Sequence, residues 1–168
     1  MFEKIDVKTL EGNPFAMIDD QWMLVTAGTK ERCNTMTASW GGLGIMWNKN
    51  AATCYLRPQR YTREFVDREE FFTLSFYGEE HRKALGLCGT KSGRDVDKVE
   101  ECGFTVAQAD CGAPYFEEAE LVLVCKKLYT GRIDPTGFHD EALREKNYPN
   151  KDYHLCYIGE IVECLKKA

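Results

Sequence analysis

Asn34-Thr35-Met36-Thr37-Ala38-Ser39-Trp40-Gly41-Gly42 reads as a strand with two unlike faces. Thr35, Thr37 and Ser39 fall on one side and Met36, Ala38 and Trp40 on the other, the period of two of an extended chain. The diglycine ends the run or admits a close approach to the backbone. A row of small hydroxylated side chains leaves space for a flat ligand, whose edge the backbone can hydrogen-bond. The same row also suits an ordinary strand that turns Thr and Ser to water.

Working outward, residues 22–27 form a preceding strand, and polar Thr29-Lys30-Glu31-Arg32 is its hairpin loop. Residues 14–18 give a further short strand before an Asp19-Asp20 turn. Downstream, strands at 43–47 and 52–57 flank a turn at Asn48-Lys49-Asn50, and Pro58 ends the second because it cannot donate to a ladder. Thr62 suits a helix N-cap, with Phe65 and Val66 buried behind it. Residues 71–77 alternate again, with Phe72, Leu74 and Phe76 on one face.

Two short helices follow. One carries His81, Ala84, Leu85 and Cys88 at helical spacing. The other starts at Ser92 and Asp95, with Val96, Val99 and Cys102 inward and Gly103 at its left-handed end. Residues 104–106 make a short strand, and 119–129 a long buried one. Asp134-Pro135-Thr136-Gly137 is a turn, with Gly137 expected at positive φ. After an irregular stretch at 148–150 comes a last strand at 153–163, and Lys166-Lys167-Ala168 fray. Many short strands with helices confined to the middle predict one mostly antiparallel barrel over residues 1–168, not a doubly wound sheet.

The chain has 168 residues, a net charge of −5 and 43% hydrophobic content, as expected of a soluble domain with a sizeable core. The acidic balance argues against a general nucleic-acid binder and against attraction to an anionic membrane. No apolar run is long enough to span a bilayer, and the first residues lack a signal-peptide core, so the cytoplasm is the expected compartment. None of the eight cysteines forms a Cys-x-x-Cys pair. They read as reduced core residues, with a disulfide framework the weaker alternative. Cys33, beside the first strand, is a conceivable reactive thiol with no assured partner.

Two further stretches carry chemistry. In Arg57-Pro58-Gln59-Arg60-Tyr61-Thr62, two guanidinium groups and two hydroxyls converge before a helix start, which makes a phosphate-sized anion site. The alternative is a solvated loop with a capped helix. In Thr90-Lys91-Ser92-Gly93-Arg94-Asp95-Val96-Asp97-Lys98, cations and hydroxyls again precede a helix. The spacing of a nucleotide-hydrolysing phosphate loop is not met, because Thr90 separates Gly89 from Lys91. Gly-x-Gly-x-x-Gly, Gly-x-Ser-x-Gly and His-Glu-x-x-His are absent. His81, His139 and His154 are scattered and make no metal site, though His154 lies near the last strand.

In order and spacing these three stretches resemble the flavin reductase-like family of FMN-binding split barrels, which includes flavoredoxin-type proteins. The likeness runs from about Pro14 through the His154-x-x-Tyr157-Ile158-Gly159-Glu160 strand. It implies a six-stranded antiparallel barrel that works as a homodimer, with FMN near the interface. On the matching positions, Asn34, Thr35, Thr37, Ala38, Ser39 and Trp40 would line the ring. Arg57, Gln59, Arg60, Tyr61 and Thr62 would hold the ribityl-phosphate end, with Lys91, Ser92 and Asp95 closing over it. Phe76 and His154 would pack nearby. Redox chemistry would then belong to the flavin, so no side chain is assigned as a catalytic acid or base.

The resemblance leaves three functions open. The first is an oxidoreductase that takes electrons from transiently bound NADH or NADPH through FMN to a flavin or other acceptor. The second is an FMN-binding electron carrier between redox partner proteins. The third is a non-catalytic FMN-binding protein.

Overall fold

The computed structural model covers residues 1–168. Its main feature is an antiparallel sheet of eight strands: β1 (Phe2–Lys4), β2 (Met23–Gly28), β3 (Cys33–Ala38), β4 (Gly41–Met46), β5 (Lys49–Leu56), β6 (Phe71–Phe76), β9 (Leu121–Arg132) and β10 (Leu155–Lys167). A separate two-stranded ribbon pairs β7 (Val106–Gln108) with β8 (Pro114–Phe116). The spatial order is β3-β2-β6-β9-β10-β5-β4, with β1 paired to β10. Consecutive strands β3 and β4 therefore lie at opposite ends of the ladder.

The sheet curls because one face of nearly every strand feeds the same core. Val25, Met36, Cys54, Leu56, Phe72, Leu74, Leu123 and Tyr157 all meet there. No ladder joins β3 to β4, so the sheet has eight strands and an open seam where the resemblance implied a six-stranded barrel. Burying a side chain such as Phe72 is worth about 1.5–3 kcal/mol, so the shared core gives ample drive for curling.

The outer face of β2, β6 and β9 is covered as well. Leu24, Val122 and Val124 pack with Leu85 and Cys88 of helix α2 (Arg82–Thr90), and with Phe104 and Phe116. Burial on both faces explains why β9 is continuously apolar at its start rather than alternating. Helix α1 (Tyr61–Arg68) closes the core through Phe65 and Val66, and Tyr157 ties it to β10 by donating to Asp67 at 2.6 Å. Gly159 of β10 has no room for a side chain, because a Cβ would press on Cys125 and the Phe72 ring.

Several local expectations are corrected. Residues 14–18 are helical, running into a π-helix at Ala16–Gln21 from which Ile18 packs into the core. The β4–β5 turn is centred on Trp47 and Asn48, both at positive φ, a two-residue type I′ hairpin one position earlier than the Asn-Lys-Asn reading. Thr62 is not the cap of α1. Arg60 holds that position without a side-chain bond, and the Thr62 hydroxyl instead accepts from Asn34 at 2.8 Å. Asp97, not Ser92, caps helix α3 (Lys98–Cys102), by accepting from Val99 and Glu100 N–H.

Gly103 does adopt the left-handed conformation, at φ 65°, whereas Gly137 does not; Asp134 caps a 3-10 turn at Pro135–Gly137. Helix α4 (Glu141–Asn147) was not anticipated, since its sequence lacks an apolar stripe with core spacing. The C-terminal lysines do not fray, because Phe2 and Glu3 pair with Lys167 and Lys166. All eight cysteines are free thiols. No helix is long and apolar enough to cross a membrane.

Candidate functional site

Three adjoining chambers, each sharing lining residues with the next, make up the candidate cleft. The first, about 380 Å³, lies between the start of α1 and the 90–98 loop. Arg57, Arg60, Lys91 and Lys98 line it together with Thr62, Tyr61, Thr90 and Ser92, and no carboxylate does. The second, about 240 Å³, shares Met36, Arg57 and Arg60 with the first and runs over residues 37–40 to His154. The third, about 740 Å³, shares Ser39, Trp40 and Tyr55 with the second and is mainly apolar.

The cationic chamber is held open by its own backbone. Lys98 is buried, and its ammonium donates to the carbonyls of Thr35 at 2.8 Å and Cys88 at 2.9 Å. Arg60 donates to the Gly89 carbonyl at 2.7 Å. Neither has a carboxylate partner, so both charges are fixed but not neutralised. Burial lowers the pKa of each; Arg57 lowers that of Arg60 further, and Arg60 that of Lys98. The uncapped N-terminus of α1 adds free N–H groups at Tyr61 and Thr62. Chemically, such an arrangement suits a compact dianion, whose charge would supply the missing countercharge.

The 90–98 loop is fastened over this chamber. Arg94 bonds Glu64 and the Gln59 carbonyl and lies over the Tyr61 ring, 4.6 Å from its centroid. Gly93 leaves room for Asn34, since a methyl there would overlap its amide oxygen and force the side chain to shift.

Arg57 behaves differently. It pairs with Asp152 at 2.6 Å, donates to the Asn147 carbonyl and sits over the Tyr148 ring. Gln59 also donates to Asp152, at 2.9 Å. The Asp152 carboxyl is held below its ordinary range, first by Gln59 and then by Arg57. Arg57 thus lines the chamber as a largely compensated charge.

In the middle chamber Trp40 packs against His154, with ring centroids 4.9 Å apart. The His154 Nδ1 meets the Tyr148 hydroxyl at 2.9 Å. Burial, helped by Arg57 and Arg60, pushes the His154 pKa down to about 4, so the ring is neutral at pH 7. It offers a wall and a hydrogen-bonding edge, not a third positive charge.

The predicted residues divide by place. Arg57, Gln59, Arg60, Tyr61, Thr62, Lys91 and Ser92 meet in the cationic chamber, and Thr37, Ala38, Ser39, Trp40 and His154 in the middle one. Asn34, Thr35 and Asp95 line a further cavity, which adjoins the cationic chamber through Tyr61, Gly93 and Lys98. Phe76 lies in the core of the curled sheet and lines none of these chambers. The hydroxyl face of β3 is also not open to a ligand along its length. Thr35 bonds Thr26, and Thr37 donates to the Leu85 carbonyl, so small side chains there admit helix α2 instead.

Lys98, Tyr55 and Tyr148 were missed as contributors. Lys98 was visible in the third stretch, but nothing in a sequence separates a buried lysine from a solvated one.

A family model described as the flavin reductase like domain matches residues 18–167. A comparison with curated proteins finds no match. Among solved structures, flavoredoxin from Methanosarcina acetivorans aligns with a TM-score of 0.69 at 22% identity, over 88% of this chain and 68% of that one. An FMN-binding domain of a flavin reductases-like enzyme from Shewanella baltica OS155 gives 0.70 at 17% identity, over 99% and 77%. The NADH:FAD oxidoreductase SgcE6 of Streptomyces globisporus gives 0.64 at 16%, over 88% and 74%. At these identities the structural likeness is one of fold.

Proposed function

Because this chain belongs to the flavin reductase-like domain family, we propose that it binds FMN along the cleft and works as an oxidoreductase, passing electrons from NADH or NADPH to a flavin or other acceptor. The observation that carries the reading is the pair of uncompensated cations, half-buried Arg60 and buried Lys98, in a chamber with no carboxylate. A phosphate fits that charge, and the adjoining chamber offers a flat ligand the 37–40 backbone and the Trp40 and His154 rings.

In this reading Arg60, Lys98, Lys91 and Ser92 hold the phosphate, with N–H groups at the start of α1. The 37–40 backbone and His154 orient the ring edge. Bound FMN supplies the two-electron chemistry. The chain's part is to fix the phosphate, keep His154 neutral against the ring, and limit water at the seam.

The homodimer is part of the same proposal. Ile45, Trp47 and Tyr129 are 67%, 53% and 50% exposed at the β4–β5 hairpin and β9, an apolar cluster suited to a second copy. Sedimentation should give twice the monomer mass, and Trp47→Glu should return it to one.

The function is tested on purified protein saturated with FMN under anaerobic conditions, with NADH or NADPH added. Rapid bleaching of the flavin spectrum supports the reductase. A spectrum that stays oxidised until another reductant is supplied favours the electron carrier or a non-catalytic FMN-binding protein.

A further inference from the structure

The third chamber has a chemistry of its own. At about 740 Å³ it is larger than the other two, and it adjoins the middle chamber at Ser39, Trp40 and Tyr55, which line both. Its walls are Ile18, Leu43, Ile133, Phe138, Leu143 and their neighbours, and Asp19 is the only charged side chain among them. Phe15 stands at the rim, 83% exposed, a position that costs an aromatic its burial without any compensating contact in the chain.

The rim is also conformationally unusual. Ile18 and Asp19 belong to the π-helical segment and Phe15 caps its start; the segment is followed by Trp22 at φ 68°, a strained value for a bulky residue. Single π turns are rare and recur at functional sites. Two independent features, an apolar cavity adjoining the proposed cofactor cleft and a strained element lining it, thus coincide.

We infer that this chamber is the acceptor site and that it takes an uncharged, planar aromatic compound of two or three fused rings. The inference rests on the FMN reading for the word acceptor, and on the cavity alone for the chemistry of the ligand. Size permits such a molecule, since small-molecule sites of roughly 300–1,000 Å³ bury most of a drug-sized ligand. Charge selects against anions: no cation lines the chamber, and Asp19 repels a carboxylate or sulfonate. The pyrophosphate of a nicotinamide dinucleotide finds no partner there either, so the electron donor would have to place its phosphates elsewhere. Trp40 and Tyr55, shared between the two chambers, would set the ligand against the ring position.

The test is calorimetric titration of FMN-loaded protein with 1,4-naphthoquinone and with its 2-sulfonate, which share a ring system and differ in charge. The neutral quinone is expected to bind at least ~10-fold tighter, the ratio set by one unfavourable charge contact and lost desolvation. Asp19→Asn should narrow the gap by weakening discrimination against the sulfonate. Leu143→Glu, on the exposed side of α4, should cost the neutral quinone about 10-fold while FMN affinity is unchanged. Equal binding of the two quinones, or no effect of Leu143→Glu, would overturn the inference. The same titration on protein without flavin separates the two readings. Quinone binding in protein that takes up no FMN leaves the cavity assignment standing and removes the FMN proposal; FMN uptake without quinone discrimination does the reverse.

Discussion

The cationic chamber and the apolar chamber sit at opposite ends of one cleft, and the difference between them lies in how charge is compensated. In the first, Arg60 and Lys98 are anchored by backbone carbonyls, which orient a cation without cancelling it. In the third, a lone carboxylate stands among apolar walls. Arg57 shows the intermediate case within the first chamber, since Asp152 cancels much of what it brings. Counting arginines therefore misjudges an anion site; the useful quantity is positive charge with no carboxylate beside it. That charge is costly to bury, which is why the chamber gains from an anionic ligand.

The sharpest way to break this contrast is Lys98→Met. It removes an uncompensated buried ammonium, and FMN affinity should fall by about 2–3 kcal/mol, roughly 30–150-fold, with riboflavin far less affected. Fluorescence titration of both flavins reads the split. A like loss for the two ligands would mean that Lys98 supports the fold and not the phosphate.

The middle chamber should respond to pH. The folded His154 pKa of about 4 lies below the ordinary value of 6.5, so the unfolded chain binds more protons between those values. The stability this gives is complete above about pH 6.5 and is lost as pH falls towards 4, on the order of 3 kcal/mol at most. Urea unfolding at pH 7 and pH 5 should show the loss in the native protein, and His154→Gln should flatten that dependence. An unchanged slope in the variant would contradict a neutral, buried His154.

Gly93→Ala tests the loop that roofs the cationic end. Its methyl would displace Asn34, which itself holds Thr62, so stability should drop by about 1–2 kcal/mol and FMN affinity several-fold. Thermal unfolding and flavin titration check the two effects separately. The smallest effect is expected of Arg57→Ala. With its charge already paired to Asp152, FMN affinity should fall by only about 2–5-fold, less than for Arg60→Ala. A larger loss at Arg57 than at Arg60 would reverse the ranking of compensated and uncompensated charge.

Much of this layout was legible in the sequence, for identifiable reasons. The Phe72-Leu74-Phe76 face and the continuous apolar start of β9 record burial directly, whereas the alternation at 34–40 marks a strand but not its buried face: Asn34 and Thr35 are as buried as Met36, and Trp40 is exposed. The cation-rich stretches at 57–62 and 90–98 converge as expected. What stayed hidden depends on partners distant in the chain. Asp152 claims Arg57 and Gln59 across more than ninety positions, α2 claims the Thr37 hydroxyl, and the core claims Phe76. Thr62 looked like a cap because its composition fits one; Asn34, far upstream, decides otherwise. The apolar chamber was unreadable because the 14–19 segment, β4 and α4 build it jointly, and α4 carries no core stripe.

The central claim is that uncompensated positive charge in the first chamber recognises a phosphate on a flavin. The most direct measurement is the affinity of the unmodified protein for FMN and for riboflavin, which differ by that phosphate alone. FMN should bind at least about 100-fold more tightly, the equivalent of two charge-assisted bonds. Equal affinities, or tighter binding of riboflavin, would contradict the account.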